Sequence, residues 1–449
     1  MHEDIRNAVQ EDLDLTRSEL EAMIEIPSVS APGYDAADVV RSAEFVASLL
    51  RGVGLDGVRL LELDDAHPAV YGEKVASVDA PTVLLYAHHD VQPPGPSDQW
   101  ETDPFTPVER DGRLYGRGSS DDKAGIALHL GTVRALGDNP PVNIKFFIEG
   151  EEEIGSRHLI DFLDAYADLL AADVIIIGDV GNWAPGVPGI TTSLRGLVDC
   201  IVTARTMKYA VHSGSFGGVY PDAIAALART LAGLHHDDGS VAVAGLVSDV
   251  ADGPDITKEE LDGQVLPVAG AELIGSGTLT SRMWRQPAIS VLAIEAVPLG
   301  EAINQIVPEA RAKVSMRIPP GQDAQEAIDA LIAHLRASAP WGIELDIEQG
   351  STGEAFELDT SGPAYDAYRT GMLEGYGAAA VEMGVGGSIP FVAAFSERYP
   401  DAEVLLVGVA DPSSRYHGPN ESLELADLES AIVAQAIALT QIGSGRLGC

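Results

Sequence analysis

Apolar runs of β type recur along this chain, and most of them stop at a short cluster of histidines and acids. Thr82 to Ala87 is followed by His88-His89-Asp90, Asn143 to Ile148 by Glu149 and Glu151-Glu152-Glu153, and Asp173 to Ile177 by Asp179. Glu403 to Val409 precedes His417, and Ser120-Asp121-Asp122 leads into a helix that starts near Lys123. An α/β protein builds its site where strands end. Imidazole nitrogen together with carboxylate oxygen is a zinc-type donor set. Taken together, the clusters read as one metal site and make the chain an enzyme candidate.

The rest of the pattern supports that architecture. Apolar residues at helical spacing cover the chain through Ile24, then Ala37 to Leu50, Lys123 to Leu136 and Arg157 to Leu170. Strands alternating with helices predict an α/β fold, a mostly parallel sheet with helices on both faces. Character changes at Ser193-Leu194-Arg195-Gly196. Leu197 to Ala204, Ala310 to Ile318 and Ile343 to Ile347 read as strands, with helices at Asp222 to Leu234 and Ala324 to Ala337. That is an α+β, ferredoxin-like unit, with a Gly- and Asp-rich excursion from His236 to about Arg285. Helices at Pro363 to Leu373 and Leu425 to Leu439 flank the late strand at Glu403. The expected division is 1–194 and 356–449 for one domain, with 195–355 inserted into it.

A chain of 449 residues exceeds what one core serves, and 45% hydrophobic residues suffice for two. The net charge of −41 argues against nucleic acid and anionic membrane as partners. No apolar run is read as reaching the roughly 18 residues of a membrane span. The start, Met1-His2-Glu3-Asp4, lacks a signal peptide's basic and apolar segments, so a cytoplasmic location is expected. Two cysteines, Cys200 and Cys449, are too few for a disulfide framework.

Each cluster also has a plainer explanation. A His beside an Asp is a common polar strand end, yet Asp90 is placed to orient a ligand His88. Asp121 and Asp122 suit a helix N-cap, so one can cap while the other binds metal. Four glutamates within Glu149 to Glu153 repel unless a cation relieves them, and one of them can then act as general base. Two histidines and several carboxylates suit two divalent ions sharing one bridging carboxylate.

These blocks, in this order, resemble the co-catalytic di-zinc aminoacylase, carboxypeptidase and dipeptidase family of metallopeptidases, nearest its dipeptidase branch. The resemblance implies two divalent ions per subunit, zinc ahead of manganese or cobalt. It makes His88, Asp121, Glu153, Asp179 and His417 the ligands, with Asp121 bridging. It makes Asp90 the orienting acid and Glu152 the general base, and it implies a cis peptide at Asp121-Asp122. In the inserted lid and dimerisation domain, His212-Ser213-Gly214-Ser215-Phe216-Gly217-Gly218 matches a block whose His serves the partner subunit's site, which implies a homodimer. Arg317 and the loop Gly386, Gly387 and Ser388 would hold the substrate's carboxylate end. Ala210, Gln305 and Gly384 depart from the family's pattern in blocks assigned to substrate, not to metal. The implied activity is hydrolysis of dipeptides, with N-acyl amino-acid deacylation or carboxypeptidase action as alternatives. A catalytically dead scaffold would have lost a ligand or Glu152, and every matched position is intact.

Overall fold

The computed structural model describes residues 2–387 and 390–445. They form two compact units, residues 2–192 with 358–383 and 390–445, and residues 193–357 with 384–387. The short 384–387 segment thus groups with the second unit, although it lies within the span expected for the first domain.

In the first unit, four parallel strands make the middle of a sheet in the order Asn143–Glu149, Thr82–His88, Val174–Ile177, Glu403–Leu406. Side chains alternate between the faces. Leu85, Ala87, Phe146 and Ile148 join the core formed with helices His2–Ile24, Lys123–Leu136, Pro363–Tyr376 and Leu425–Gly443. Tyr86 and Phe147 point to the opposite face, where they meet Phe395, and Phe147 also meets Phe162 of the helix Leu159–Ala165. Helices therefore cover both faces, as expected. The sheet as a whole is mixed, because Ala69–Lys74 and Asp56–Leu61 extend it in antiparallel fashion. Register aligns the carboxyl ends: His88 lies opposite Glu149, and Ile177 opposite both Tyr86 and Leu406. All the strand-end clusters thus emerge along one edge.

Three local expectations need correction. The helix expected over Arg157 to Leu170 is two, Leu159–Ala165 and Ala167–Leu170, broken at Tyr166. Tyr166 donates its hydroxyl to the carbonyl of Glu62. The late strand stops at Leu406 instead of Val409. There the chain presses onto its neighbour, and a Cβ at Gly408 would sit 1.9 Å from the Val180 carbonyl oxygen. The helix Leu425–Gly443, 19 residues, is long and apolar enough to span a membrane by length and composition, contrary to the sequence reading. Its apolar residues, from Leu428 through Ile442, are buried in the core of the first unit.

Two polar groups are built into that core. His129 donates Nε2–H to the Tyr86 carbonyl and accepts from Gln435 at Nδ1; burial lowers its pKa to about 4 and keeps it neutral. Lys123 donates to the carbonyls of Met23 and Ile26, tying the first helix to the Asp121 loop.

The second unit is a four-stranded antiparallel sheet in the order Ala288–Glu295, Glu309–Ile318, Gly196–Arg205, Leu345–Gly353. With helices Ala223–Ala232 and Ala324–Ala337 between strands, this is the ferredoxin-like βαββαβ order. Asp222 and Asp323 cap the two helices through their side chains. Val198, Cys200, Val202 and Ala204 alternate inward against Leu227, Ile328 and Leu331. The strand Ala288–Glu295 escapes a reading based on alternation, because Ile289 alone is buried in it.

Candidate metal centre

The end of strand Thr82–His88 fixes the first imidazole. His88 is fully buried, and its Nδ1–H donates to the main-chain carbonyl of Asp90 at 3.0 Å. That bond settles the tautomer and leaves the Nε2 lone pair for a cation. Three carboxylates face Nε2: Asp121 at 3.1 Å, Asp179 at 3.7 Å and Glu152 at 4.0 Å. Asp121 spans two imidazoles, with its other oxygen 3.0 Å from His417 Nε2. His417 in turn lies 3.1 Å from Glu153.

All five sequence-assigned ligands and Glu152 are therefore gathered in the first unit. Donor atoms of His88, Glu152 and Asp179 lie within 4.8 Å of one another, as do those of His88, Asp121 and Glu153. Two donors on one tetrahedral zinc stand about 3.4 Å apart, given metal–ligand lengths of about 2.0–2.2 Å. The nitrogen–oxygen separations just given straddle that value, so the donors fit divalent metal ions.

The local charge agrees. Burial, then repulsion from Asp179, pushes Glu152 up to about 9. Burial, then Asp121, lifts Glu153 to about 7. Hydrogen bonds to Asp121 and Glu153 raise His417 to about 10. Without a cation the cluster binds protons, and a dication taking their place would release them.

The neighbours divide their work more finely than the sequence suggested. Asp122 caps the helix Lys123–Leu136 by accepting from Gly125, and also accepts from the His88 amide. The peptide between Asp121 and Asp122 is cis. The carboxylate of Asp90 stands 3.4 Å from His88 Nδ1, farther than its own carbonyl. Its bonds go to Ser30 Oγ at 2.6 Å and to the amides of Glu152 and Glu153 at 3.2 and 3.1 Å. It orients the glutamate pair more directly than the histidine. Gln92, which no motif singled out, donates its amide and its side chain to the Glu153 carboxylate. His89 turns away, donating to the Pro68 carbonyl at 2.9 Å.

A model of the peptidase family M20/M25/M40 matches residues 84–441. The chain belongs to this family. Among curated M20 relatives, the cysteinylglycine-S-conjugate dipeptidase of Corynebacterium striatum is 36% identical over 409 residues, 90% of each chain. The Cys-Gly metallodipeptidase of Schizosaccharomyces pombe is 30% identical, covering 90% of this chain and 91% of its own. The solved structure of human carnosine dipeptidase 1 shares the fold, with a TM-score of 0.82 over 99% of both chains at 23% identity. The metallodipeptidase reading of the sequence agrees with what these relatives are.

The other residues assigned by sequence lie in the second unit of the M20 chain. His212 ends the short strand Val211–His212, opposite Gln305, and is exposed, its Nδ1 accepting from the Gly214 amide. Arg317 is half-buried on the strand Glu309–Ile318, and among the described residues no carboxylate pairs with it. A second guanidinium carries no sequence motif of its own. Arg195 is half-buried too, and its pKa is lowered to about 10 by burial and by the charge of Arg317. A Cβ at Gly386 would sit 2.7 Å from Arg195 Nη2, so the glycine makes room for it. Gly387 follows, and Ser388 lies outside the described residues.

Proposed function

We propose that this chain is a metal-dependent dipeptidase that holds two divalent ions, zinc by preference, and acts on small peptides such as cysteinylglycine and its S-conjugates. The observation that carries this reading is the gathering of His88, Asp121, Glu153, Asp179 and His417 with Glu152 in a chain 36% identical to a cysteinylglycine-S-conjugate dipeptidase. The ions, when bound, supply Lewis acidity and a more acidic water. Glu152 would take a proton from the attacking water as its oxygen bonds to the carbonyl carbon, and would deliver it to the amine nitrogen as the carbon–nitrogen bond breaks. Asp90 holds the Glu152 and Glu153 amides and so fixes the direction of both side chains. Arg195 and Arg317 offer a planar, bidentate grip for a free carboxylate, in a chain otherwise crowded with negative charge.

The deciding experiment is a rate panel with Zn²⁺ or Mn²⁺: cysteinylglycine, an S-substituted cysteinylglycine, β-alanyl-histidine, and N-acetyl and N-succinyl amino acids. Cysteinylglycine substrates should be hydrolysed fastest. Faster turnover of the N-acyl compounds would replace this reading by a deacylase.

The same proposal includes a cytoplasmic homodimer in which His212 steadies the oxyanion in the partner's site. Support comes from the outer strand Ala288–Glu295, which bears exposed Val291, Leu292 and Ile294 at the margin of its sheet. Such an edge invites pairing with a second copy. Sedimentation should give twice the mass of one chain, and His212→Ala should lower kcat at full metal content. A monomer whose His212→Ala variant has unchanged kinetics would remove this part.

A further inference from the structure

Glu421 is fully buried and belongs to neither donor cluster. One of its oxygens accepts from Arg117 Nη1 at 2.5 Å and from the Gly118 amide at 3.1 Å. The other accepts from the Ser120 amide at 2.9 Å, the Asp121 amide at 3.1 Å and the Ser120 hydroxyl at 3.1 Å. The carbonyl of Glu421 accepts from the Gly116 amide, and Arg117 reaches back to the Gly418 carbonyl. Donors from Arg117, Gly118, Ser120 and Asp121 thus converge on one side chain 300 positions from Asp121.

We propose that Glu421 is the positioning residue that sets Asp121 between the two imidazoles. The inference rests on the two-ion reading above. Asp121 has to place one oxygen by His88 and the other by His417, so both distances depend on where its backbone lies. Glu421 holds that backbone by its amide, and Asp122 anchors the next residue to the helix start. Glu421 also lies four residues after His417, so the same carboxylate ties the Asp121 loop to the His417 loop. Arg415, His417 and Asn420 hold positive φ values of 54°, 62° and 58°, a conformation that persists where surrounding contacts impose it. Asn420 adds its own bonds, accepting from the Glu101 amide and donating to the Gln99 carbonyl.

The test compares Zn²⁺ stoichiometry and affinity, by competition with a chelator, in the full chain and in Glu421→Gln and Glu421→Asp, together with the Tm of each metal-free form. Gln keeps the length but places an amide NH₂ against donors. Asp keeps the charge but falls one methylene short of the loop. Both should bind Zn²⁺ about 10–100-fold more weakly, the range for residues that orient ligands. If the charge alone matters, Asp binds like the wild type, and the proposal is overturned. If Glu421 only stabilises the fold, Tm falls while Zn²⁺ affinity stays within twofold, which also overturns it. Should the Gln variant fail to fold, the Asp variant decides, and Ser120→Ala, which removes one donor, should weaken Zn²⁺ in the same direction. A wild-type chain binding fewer than two Zn²⁺ sinks the two-ion reading and this inference together. Two ions with an unchanged Asp variant sink this inference alone.

Discussion

A Glu152→Gln protein is expected to keep both metal ions and to hydrolyse dipeptide about 10²–10⁴ times more slowly, the range for loss of a general base. Gln has the same shape, and the bond from the residue 152 amide to Asp90 does not involve the side chain. The turn that carries Glu153 should therefore survive. The substitution also separates two roles that geometry leaves side by side, because Glu152 groups with His88 and Asp179 closely enough to be a ligand itself. A ligand lost to Gln would lower metal content, whereas a lost base would not. Metal analysis beside kcat distinguishes them: turnover near wild type, or one ion missing, would defeat the assignment.

Asp121→Asn should do more damage, and to binding first. The carboxylate offers one oxygen toward each histidine at 3.1 and 3.0 Å, so a single residue serves both ion positions. Asn keeps one carbonyl oxygen and turns the other position into an NH₂ facing an imidazole. Metal content should fall from two ions to one or fewer, with affinity lost beyond the about 10–100-fold that removing a residue which only orients a ligand costs. Activity should disappear with it and stay absent when Zn²⁺ is added back at concentrations that saturate the wild type. Two tightly bound ions in this variant would mean that Asp121 does not bridge.

Most donors were legible in the sequence because they follow an apolar run, and a run of Val, Ile and Leu declares a buried strand without outside help; Asp121 instead sits in a Gly- and Ser-rich loop before a helix. Partners supplied from far along the chain were not legible. Asp90 bonds to the amide of Glu153, 63 positions away, and Ser30 reaches Asp90 across 60. Gln92, Arg195 and Glu421 carry no local pattern that marks them. Helix and strand limits failed where tertiary contact overrode local preference, as at Tyr166, or where almost nothing is buried, as in Ala288–Glu295. The exposed Val and Ile of that outer strand do not alternate with polar residues, so periodicity has nothing to detect.

The parallel pairing of Val174–Ile177 with Glu403–Leu406 carries a consequence for how the molecule is made. The first strand leaves the ribosome more than two hundred residues before its neighbour, with a contiguous βαββαβ unit synthesised between them. Closing so long a loop adds little to the equilibrium cost, about 0.6 kcal/mol for each doubling of length. Its effect falls on timing, since domains tend to fold as units during synthesis. The four-stranded sheet of the inserted unit is complete by residue 353, whereas the catalytic sheet waits with one flank of Val174–Ile177 open until Glu403–Leu406 arrives. The His417 loop is made later still, ahead of the core helix Leu425–Gly443, so until then a nascent chain offers metal only a partial set of donors.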